Sequence, residues 1–180
     1  ENPENYGLRS RYHMVFNAKD IEGIPPEVKV HNNITQNEAI DRIIDGMAIK
    51  VLNDSPDKAY YSVTNDDIHL PPKEVFDNDH AYNSTLLHEL SHATGAKSRL
   101  DRVQSGIRNT SDYAVEELVA EISSCFTGAD IGLQYEPAEF KNHKAYVQSW
   151  ISAIEQKQEV LFEAIRQADR AADYLLEKGE

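Results

Sequence analysis

The sequence predicts an α+β fold, because strand and turn signals dominate before residue 80 and helical periodicity dominates after it. The length of 180 residues fits one compact domain. The chain begins without an initiator methionine, so we interpret its start as the cut end of a longer protein. We therefore expect residues 1–10 to be a linker or the remnant of a missing N-terminal domain, and residues 11–180 to form a single domain.

The first half of the sequence predicts short strands around one helix. Tyr12, Met14 and Phe16 alternate with polar neighbours, which predicts a half-buried strand. A capping box at residues 35–38 (T-Q-N-E) precedes an apolar stripe and predicts a helix over about 36–48. Three further strands, which together indicate a small sheet, are predicted over 48–52, 59–63 and 67–70.

From residue 83 onward, apolar residues recur at intervals of three and four, which predicts helices. The predicted helices cover about 83–94, 112–127, 137–155 and 157–178. We expect Asn83 or Ser84 to cap the first of them, and Gly95 and Gly128 to end the first and the second. An apolar stripe along the last helix predicts a role in packing.

Charge and cysteine content exclude several functions. The formal net charge of −13 opposes nucleic-acid binding, which depends on clustered Lys and Arg, so we expect none by this part of the protein alone. Cys125 is the single cysteine, which excludes a disulfide within the chain and a cysteine-rich zinc site, and favours a reducing cytoplasm. No stretch approaches the ~18 uninterrupted apolar residues of a membrane span, so we expect no membrane partner.

The segment His88-Glu89-Leu90-Ser91-His92 has the pattern H-E-x-x-H inside a predicted helix. A step of four residues puts both imidazoles on one helix face, where they can bind the same ion. Neutral imidazole suits Zn²⁺, and a site with three protein ligands keeps one position for water. Glu89 directly follows the first histidine, so we predict that it removes a proton from that water as the catalytic base.

A third ligand has to come from outside this helix. The longer pattern H-E-x-x-H-x-x-G-x-x-H fails, because Ser98 stands where its third histidine is required. The methionine turn that accompanies that pattern is excluded too, because Met14 and Met47 both precede the motif. The remaining candidates downstream are acidic.

Glu116, Glu117 and Glu121 of the next predicted helix are those candidates. Glu117 and Glu121 share a helix face, so one of them can bind the metal while the other accepts the ring N–H of a ligating histidine. The alternative is that all three acidic residues form a solvated face, which the H-E-x-x-H motif makes the weaker interpretation.

Further stretches, spread over nearly the whole chain, carry a family resemblance. These stretches are Val15-Phe16-Asn17-Ala18, Ile21-Glu22-Gly23-Ile24-Pro25, Asp67-Ile68-His69-Leu70-Pro71 with Phe76, Tyr82 through Gly95, Arg99-Leu100-Asp101-Arg102, Tyr113 through Glu121, and Tyr146 with Trp150-Ile151. In them the sequence resembles the zincin-like metallopeptidase domain found in antirestriction protein ArdC and related polyvalent proteins of mobile elements.

The resemblance implies a minimal gluzincin fold, in which a small sheet packs on the H-E-x-x-H helix and a helical C-terminal half follows. Because the E-E-x-x-A-E segment looks like the N-E-x-x-S-D helix of thermolysin-like gluzincins, it implies Glu117 as the third zinc ligand and Glu121 as the partner of a ligating histidine. It also implies a Zn²⁺-dependent peptidase that acts on a protein or peptide in an antirestriction setting. Family members usually carry an N-terminal domain that binds single-stranded DNA, which this chain lacks, so DNA binding is not carried over.

We therefore expect a zinc-bound water to hydrolyse a peptide bond, with Glu89 as general base and acid. Tyr113, Tyr146 and His143 are the candidates for stabilising the oxyanion, and sequence spacing does not choose among them. We expect an extended substrate to pair with an edge strand such as 67–70.

An acidic decoy is the rival hypothesis, in which the charge of −13 imitates DNA and blocks a restriction enzyme by binding, without catalysis. A metal site with a purely structural role is a weaker alternative, because it would not require Glu89. The substrate and the oligomeric state are open at the level of sequence.

Overall fold

The structure is a computed structural model that describes residues 22–23, 35–104, 111–133 and 158–180. Apart from residues 22–23, these belong to one compact unit, Ile34–Glu180. The strand predicted around Met14 and the helix predicted over 137–155 lie outside the described residues, as do the candidates His143 and Tyr146.

In the described part of the chain, one helix precedes a three-stranded sheet and further helices follow it, which confirms the predicted α+β class. The helices are α1 (Gln36–Met47), α2 (Asp79–Ala93), α3 (Ser111–Asp130) and α4 (Gln158–Lys178). The strands are β1 (Lys50–Leu52), β2 (Tyr60–Ser62) and β3 (Asp67–His69), and a 3-10 turn covers Lys73–Val75. No helix among these is both long and apolar enough to cross a lipid bilayer.

The sheet has the strand order β1-β3-β2, so β3 is its central strand. Val51 of β1 pairs with Ile68 in parallel, and Tyr61 of β2 pairs with Ile68 in antiparallel orientation. The prediction that 67–70 is an edge strand is therefore wrong. Ile68 is fully buried, which places β3 over the core. The turn at 63–66 brings β2 beside β3, on the edge opposite β1.

Helix α1 begins where the sequence predicts, because the capping box forms. The backbone N–H of Glu38 donates to Oγ1 of Thr35 at 3.3 Å, and the N–H of Thr35 donates to the Glu38 carboxylate at 2.7 Å. The helix ends at Ala48, whose φ of 51° lies in the left-handed region. Ile40, Ile43 and their apolar neighbours form the buried stripe that attaches α1 to the core.

Helix α2 starts earlier than predicted, because its cap is Asn78 and neither Asn83 nor Ser84. The side chain of Asn78 accepts a hydrogen bond from the N–H of Ala81 at 2.7 Å. Asn83 lies inside the helix and is buried, and its amide donates to Oδ1 of Asn37 on α1 at 2.8 Å. In the sequence, a buried polar residue at the contact between two helices thus has the same signal as a capping residue.

Glycines end one of the two helices as predicted and do not end the other. Gly95 follows the end of α2, and its N–H donates to the carbonyl of His92 at 2.8 Å. Gly128 lies inside α3 and is buried, so the prediction that it ends that helix is wrong. The chain turns instead at Gly132, whose φ of 80° lies in the left-handed region that favours glycine.

Helix α2 lies at the centre of the packing, between the sheet and α3, and α3 in turn packs along α4. Its apolar face joins the main core, whose fully buried members include Ile68, Leu70, Leu87, Leu90 and Leu175. A second apolar cluster joins α3 and α4 through Leu118, Val119, Ala164 and Ala168. The polar face of α2 is thereby held against α3 and beside β2.

Candidate metal centre

The two histidines of the H-E-x-x-H motif lie on one face of α2, as their spacing predicts. The rings of His88 and His92 meet edge to face with centroids 4.8 Å apart, and their Nε2 atoms lie 3.2 Å apart. Two atoms bound to one zinc ion at ~2.0–2.1 Å in a tetrahedron are separated by about 3.3 Å, so both imidazoles fit a shared ion.

Helix α3 brings Glu117 to these two nitrogens. Its Oε2 lies 3.7 Å from Nε2 of His88, and its Oε1 lies 3.6 Å from Nε2 of His92. Ligand atoms of the three side chains all lie within 4.8 Å of one another. Two imidazoles and one carboxylate are the ligands of catalytic zinc sites, so these side chains are chemically able to hold a metal ion.

The outer nitrogens of the same histidines each meet a carboxylate. Nδ1 of His88 lies 3.1 Å from Oε2 of Glu121, and Nδ1 of His92 lies 3.2 Å from Oε1 of Glu116. A carboxylate only accepts, so each Nδ1–H donates, which leaves Nε2 as the nitrogen that can bind a metal once it carries no proton. Sequence reasoning assigned this type of contact to Glu121, but it missed the role of Glu116.

The side chains of the centre shift one another's pKa values. Burial opposes a charge on His88, but hydrogen bonds to Glu117 and Glu121 outweigh it and raise the pKa of His88 to about 10. Burial also opposes the charge on Glu117, yet its contacts with the two histidines hold the pKa of that carboxyl below the ordinary value of 4.5. The Glu117 carboxylate is therefore anionic, and a metal ion would take the place of the proton on His88.

Arg102 contacts both oxygens of the Glu116 carboxylate, of which Oε1 also meets His92. Its Nε donates to Oε2 of Glu116 at 2.9 Å, and one terminal nitrogen donates to Oε1 at 2.8 Å. Burial raises the pKa of Glu116, but the hydrogen bonds of Arg102 and His92 outweigh it and hold that pKa below 4.5. In the sequence, Arg102 belongs to a stretch that carries the family resemblance, and no spacing rule connects it with Glu116.

Glu89 lies beside the histidines in a position unlike that of the other carboxylates. It is only 6% exposed, and its Oε2 has no hydrogen-bond partner among the described residues. A buried carboxylate oxygen without a partner costs free energy, so its presence calls for a function such as binding a water or a proton. The predicted base thus lines the same cavity as the predicted metal ligands.

These residues open onto a cavity of about 410 Å³ between α2, α3 and β2. It is lined by Ala59, Tyr60, Tyr61, Val63, His88, Glu89, His92, Gln104, Tyr113, Glu116 and Glu117. Tyr113, one of the three oxyanion candidates, lies here and its side chain hydrogen-bonds the Glu117 carboxylate. A volume of this size lies within the range of ligand-binding pockets, about 300–1,000 Å³.

A small sheet beside a helix with H-E-x-x-H, completed by a glutamate from a later helix, defines a zincin-like metallopeptidase domain. The sequence profile of the family described as zincin-like metallopeptidase matches residues 38–167. The chain therefore belongs to the zincin-like metallopeptidase family, which confirms the resemblance.

Two solved structures are similar over most of the chain. One is the crystal structure of antirestriction ArdC protein from plasmid R388 in its Mn(II)-bound form, which is 35% identical, with a TM-score of 0.65 over 97% of this chain and 58% of that one. The metal-free form of that protein is 37% identical, with a TM-score of 0.70 over 91% of this chain and 59% of that one.

Similar sequences occur in proteins of bacteria. A DNA primase TraC from Escherichia coli is 36% identical over 162 residues, which are 90% of this chain and 15% of that protein. The protein y4eC of Sinorhizobium fredii is 34% identical over 169 residues, which are 93% of this chain and 54% of y4eC. The chain thus spans about half or less of the length of these relatives.

Proposed function

We propose that this domain is a zinc-dependent peptidase that hydrolyses peptide bonds with a metal-activated water. The observation that carries the proposal is the convergence of the Nε2 atoms of His88 and His92 with the Glu117 carboxylate, beside the buried Glu89. A structural zinc site usually fills all four positions with protein ligands, whereas here three side chains converge and they line a cavity.

Zinc is the metal that the side chains favour. Two imidazoles and one carboxylate match catalytic zinc sites, whereas Mn²⁺ prefers oxygen-rich surroundings. The relative with Mn(II) in its structure supports the binding of a divalent cation by this fold. When bound, the ion would supply a water of lowered pKa and polarise the carbonyl of the scissile bond.

Glu89 is the residue that we assign to proton transfer. Its Oε2 is buried and is not engaged by a described residue, and Glu89 lines the cavity together with both histidines, so this oxygen can accept a proton. Because Glu89 lies next to the site of the water, it would take the proton from the nucleophile and return it to the leaving amine. A glutamine at this position keeps the size of the side chain and loses this capacity.

Strand β2 is the surface that we propose for the substrate backbone. Within the described residues it pairs with β3 on one side only, and Tyr60, Tyr61 and Val63 of this region line the cavity. An extended peptide can add to such an edge through main-chain hydrogen bonds. This replaces β3, which the sequence suggested and which the sheet covers on both sides.

Tyr113 is the donor that we propose for the oxyanion. It lines the cavity and its hydroxyl hydrogen-bonds the Glu117 carboxylate, so the hydroxyl would turn from that carboxylate to the oxyanion when the scissile carbonyl meets the metal. A Tyr113→Phe change is expected to lower kcat more than KM, because the donor acts on the charge that develops in the transition state.

The experiment that tests the peptidase compares Glu89→Gln with the wild type on an unfolded protein substrate. We expect cleavage to fall by about 10²–10⁴-fold, the usual contribution of a general base, while the zinc content stays at the wild-type value. Glu74→Gln is the matched control, because Glu74 is an exposed glutamate in the 3-10 turn. Equal cleavage by the Glu89→Gln variant would overturn the mechanism.

The biological setting that we propose is a protein target in the cytoplasm, within the antirestriction system of a mobile element. The name of the structural relative supports the antirestriction setting. The charge of −13 makes a protein or peptide a better partner than a nucleic acid for this part of the chain. If a folded variant with His88→Ala and His92→Ala still inhibits restriction, the acidic decoy is correct and the peptidase is not the active principle.

A further inference from the structure

Arg102 occupies a buried position between α2 and α3. Its side chain is 5% exposed, and that of its partner Glu116 is 8% exposed. Besides its two bonds to the Glu116 carboxylate, it donates to the carbonyl of Ser91 at 2.8 Å and to Oγ1 of Thr94 at 2.6 Å. One guanidinium thus connects the last turn of α2 to the carboxylate that contacts His92.

The backbone at Gly95 leaves the space that this guanidinium needs. A Cβ atom on Gly95 would lie 2.9 Å from a terminal nitrogen of Arg102 and 2.7 Å from Nε2 of Gln104. Gln104 uses that nitrogen to donate to the carbonyl of His92 at 2.6 Å. The loop after α2 therefore folds back over Gly95 so that Arg102 and Gln104 reach the helix end.

We propose that Arg102 is a positioning residue of the metal centre, which acts through Glu116 to orient the imidazole of His92. The inference rests on the proposed metal function. Among the described residues, Arg102 and His92 are the side chains that hold the Glu116 carboxylate. A fork of two N–H groups fixes both the position and the plane of a carboxylate, so Glu116 is held where Nδ1–H of His92 donates to it.

A purely structural role for Arg102 is the main alternative, because it also covers carbonyls at the end of α2. Arg99 provides the comparison within the same loop. It is similarly buried, at 7% exposed, and donates to the carbonyl of Ala93 at 2.9 Å. Its carboxylate partner is Asp66 in the turn before β3, which does not contact a metal ligand. Arg99→Gln is therefore a matched control for the loss of a buried arginine at this helix end.

Electrostatics and positioning predict opposite signs for the effect on zinc affinity. Arg102 is a cation near a site for a cation, so its removal should strengthen zinc binding if charge alone mattered. Removal should weaken zinc binding if the arginine orients His92 through Glu116, typically by about 10–100-fold for such outer contacts. The direction of the change therefore separates the two roles.

The first measurement uses the metal-free protein and the ¹⁵N signals of the histidine rings. In the wild type we expect His92 to carry its ring proton on Nδ1, bonded to Glu116. Arg102→Gln should move part of that proton to Nε2, because the carboxylate is no longer held in place, while Arg99→Gln should leave the His92 signals unchanged. Loss of the Nδ1–H preference in both variants, or in neither, would overturn the proposal.

The second measurement is zinc affinity by competition with a chelating dye. Arg102→Gln should weaken binding by about 10–100-fold and Arg99→Gln should leave it unchanged. In a Glu116→Gln background, Arg102→Gln should have little further effect, because the route from Arg102 to His92 is already removed. Additive effects of the two changes, or tighter zinc binding by Arg102→Gln, would contradict a role through Glu116.

Arg102→Lys keeps the result decisive if the glutamine variant does not fold. Lysine retains the charge but not the two-pronged contact, so zinc affinity should stay below that of the wild type; wild-type affinity would overturn the proposal. Failure of the wild-type protein to bind zinc would overturn the proposed function instead, and the ring signals of the metal-free protein would then decide the role of Arg102.

Discussion

The two faces of helix α2 differ in what they contribute, although neighbouring residues form them. On one face, Leu87 and Leu90 are completely buried among apolar side chains of the core. On the other, His88, Glu89 and His92 meet carboxylates and a cavity. The apolar face stabilises the domain, and the polar face keeps groups that burial alone would disfavour.

This difference indicates how effects of mutation should divide. A residue of the apolar face should change stability and should affect activity only through unfolding. A residue of the polar face should change metal binding or catalysis and should leave stability unchanged or even higher, as is common where function requires poorly paired groups. Leu90→Ala and Glu89→Gln test that division, and two changes that affect neither face follow for comparison.

Leu90→Ala should give the largest loss of stability. Removal of a fully buried leucine side chain from a core leaves a cavity and costs about 2–5 kcal/mol of unfolding free energy. Chemical denaturation of the metal-free protein measures it, and Val75→Ala, at a 62% exposed position, serves as the control with a change under about 0.5 kcal/mol. A small effect of Leu90→Ala would mean that this face does not anchor the helix.

Glu89→Gln should act in the opposite direction on stability. The Oε2 atom of Glu89 is buried without a described hydrogen-bond partner, so replacing the carboxylate by a neutral amide lowers the cost of burial. Loss of the attraction between Glu89 and protonated His88 offsets part of this gain, so we expect the free energy of unfolding of the metal-free protein to rise by no more than about 1 kcal/mol. A fall of that size, measured by the same denaturation, would show that the carboxylate has a stabilising role.

Asn78→Ala should weaken the start of α2 without touching either face. The side chain of Asn78 caps the helix, and loss of such a cap costs about 0.5–2 kcal/mol. Asn83→Ala removes a hydrogen bond to Asn37 and not the cap, so hydrogen exchange of the first turn should accelerate only in the Asn78 variant. Faster exchange of the first turn in both variants would contradict the assignment of Asn78 as the cap of α2.

The pair of Arg99 and Asp66 should give the smallest effect. Hydrogen bonds from Arg99 hold the pKa of Asp66 below its ordinary value of 3.8, so the pair stabilises the fold above that pH. This contribution decreases as the pH falls below 3.8, and it is lost once the pH falls below the lowered pKa of Asp66 in the folded state. Asp66 is 46% exposed, so we expect at most about 1 kcal/mol. Acid unfolding of Asp66→Asn should lack this component, and an identical acid profile would contradict it.

The sequence predicts those parts of the fold whose signals are local. The capping box predicts the start of α1 because its two hydrogen bonds join residues three apart. The start of α2 is missed because Asn83 has the composition of a cap but contacts another helix. The central position of β3 is missed because strand order depends on pairing between segments, which alternation along one strand does not contain.

The candidate site divides in the same way. Helix geometry alone predicts that His88 and His92 converge, and the structure shows this convergence. Glu117 is predicted by the family resemblance, because the periodicity of one helix does not show which residue of another helix lies next to it. The contact of Glu116 with Arg102 joins residues 14 apart through a loop, and no periodicity describes a loop.

Zinc titration of the metal-free protein tests the central claim most directly. We expect one ion per chain in the wild type and in Glu74→Ala. In Glu117→Ala a ligand is removed, so zinc affinity should fall by more than the factor of about 10–100 that is typical when a residue contacting a ligand is lost. Wild-type affinity in Glu117→Ala, or binding that persists when both His88 and His92 are alanine in a folded variant, would contradict a metal centre at these side chains.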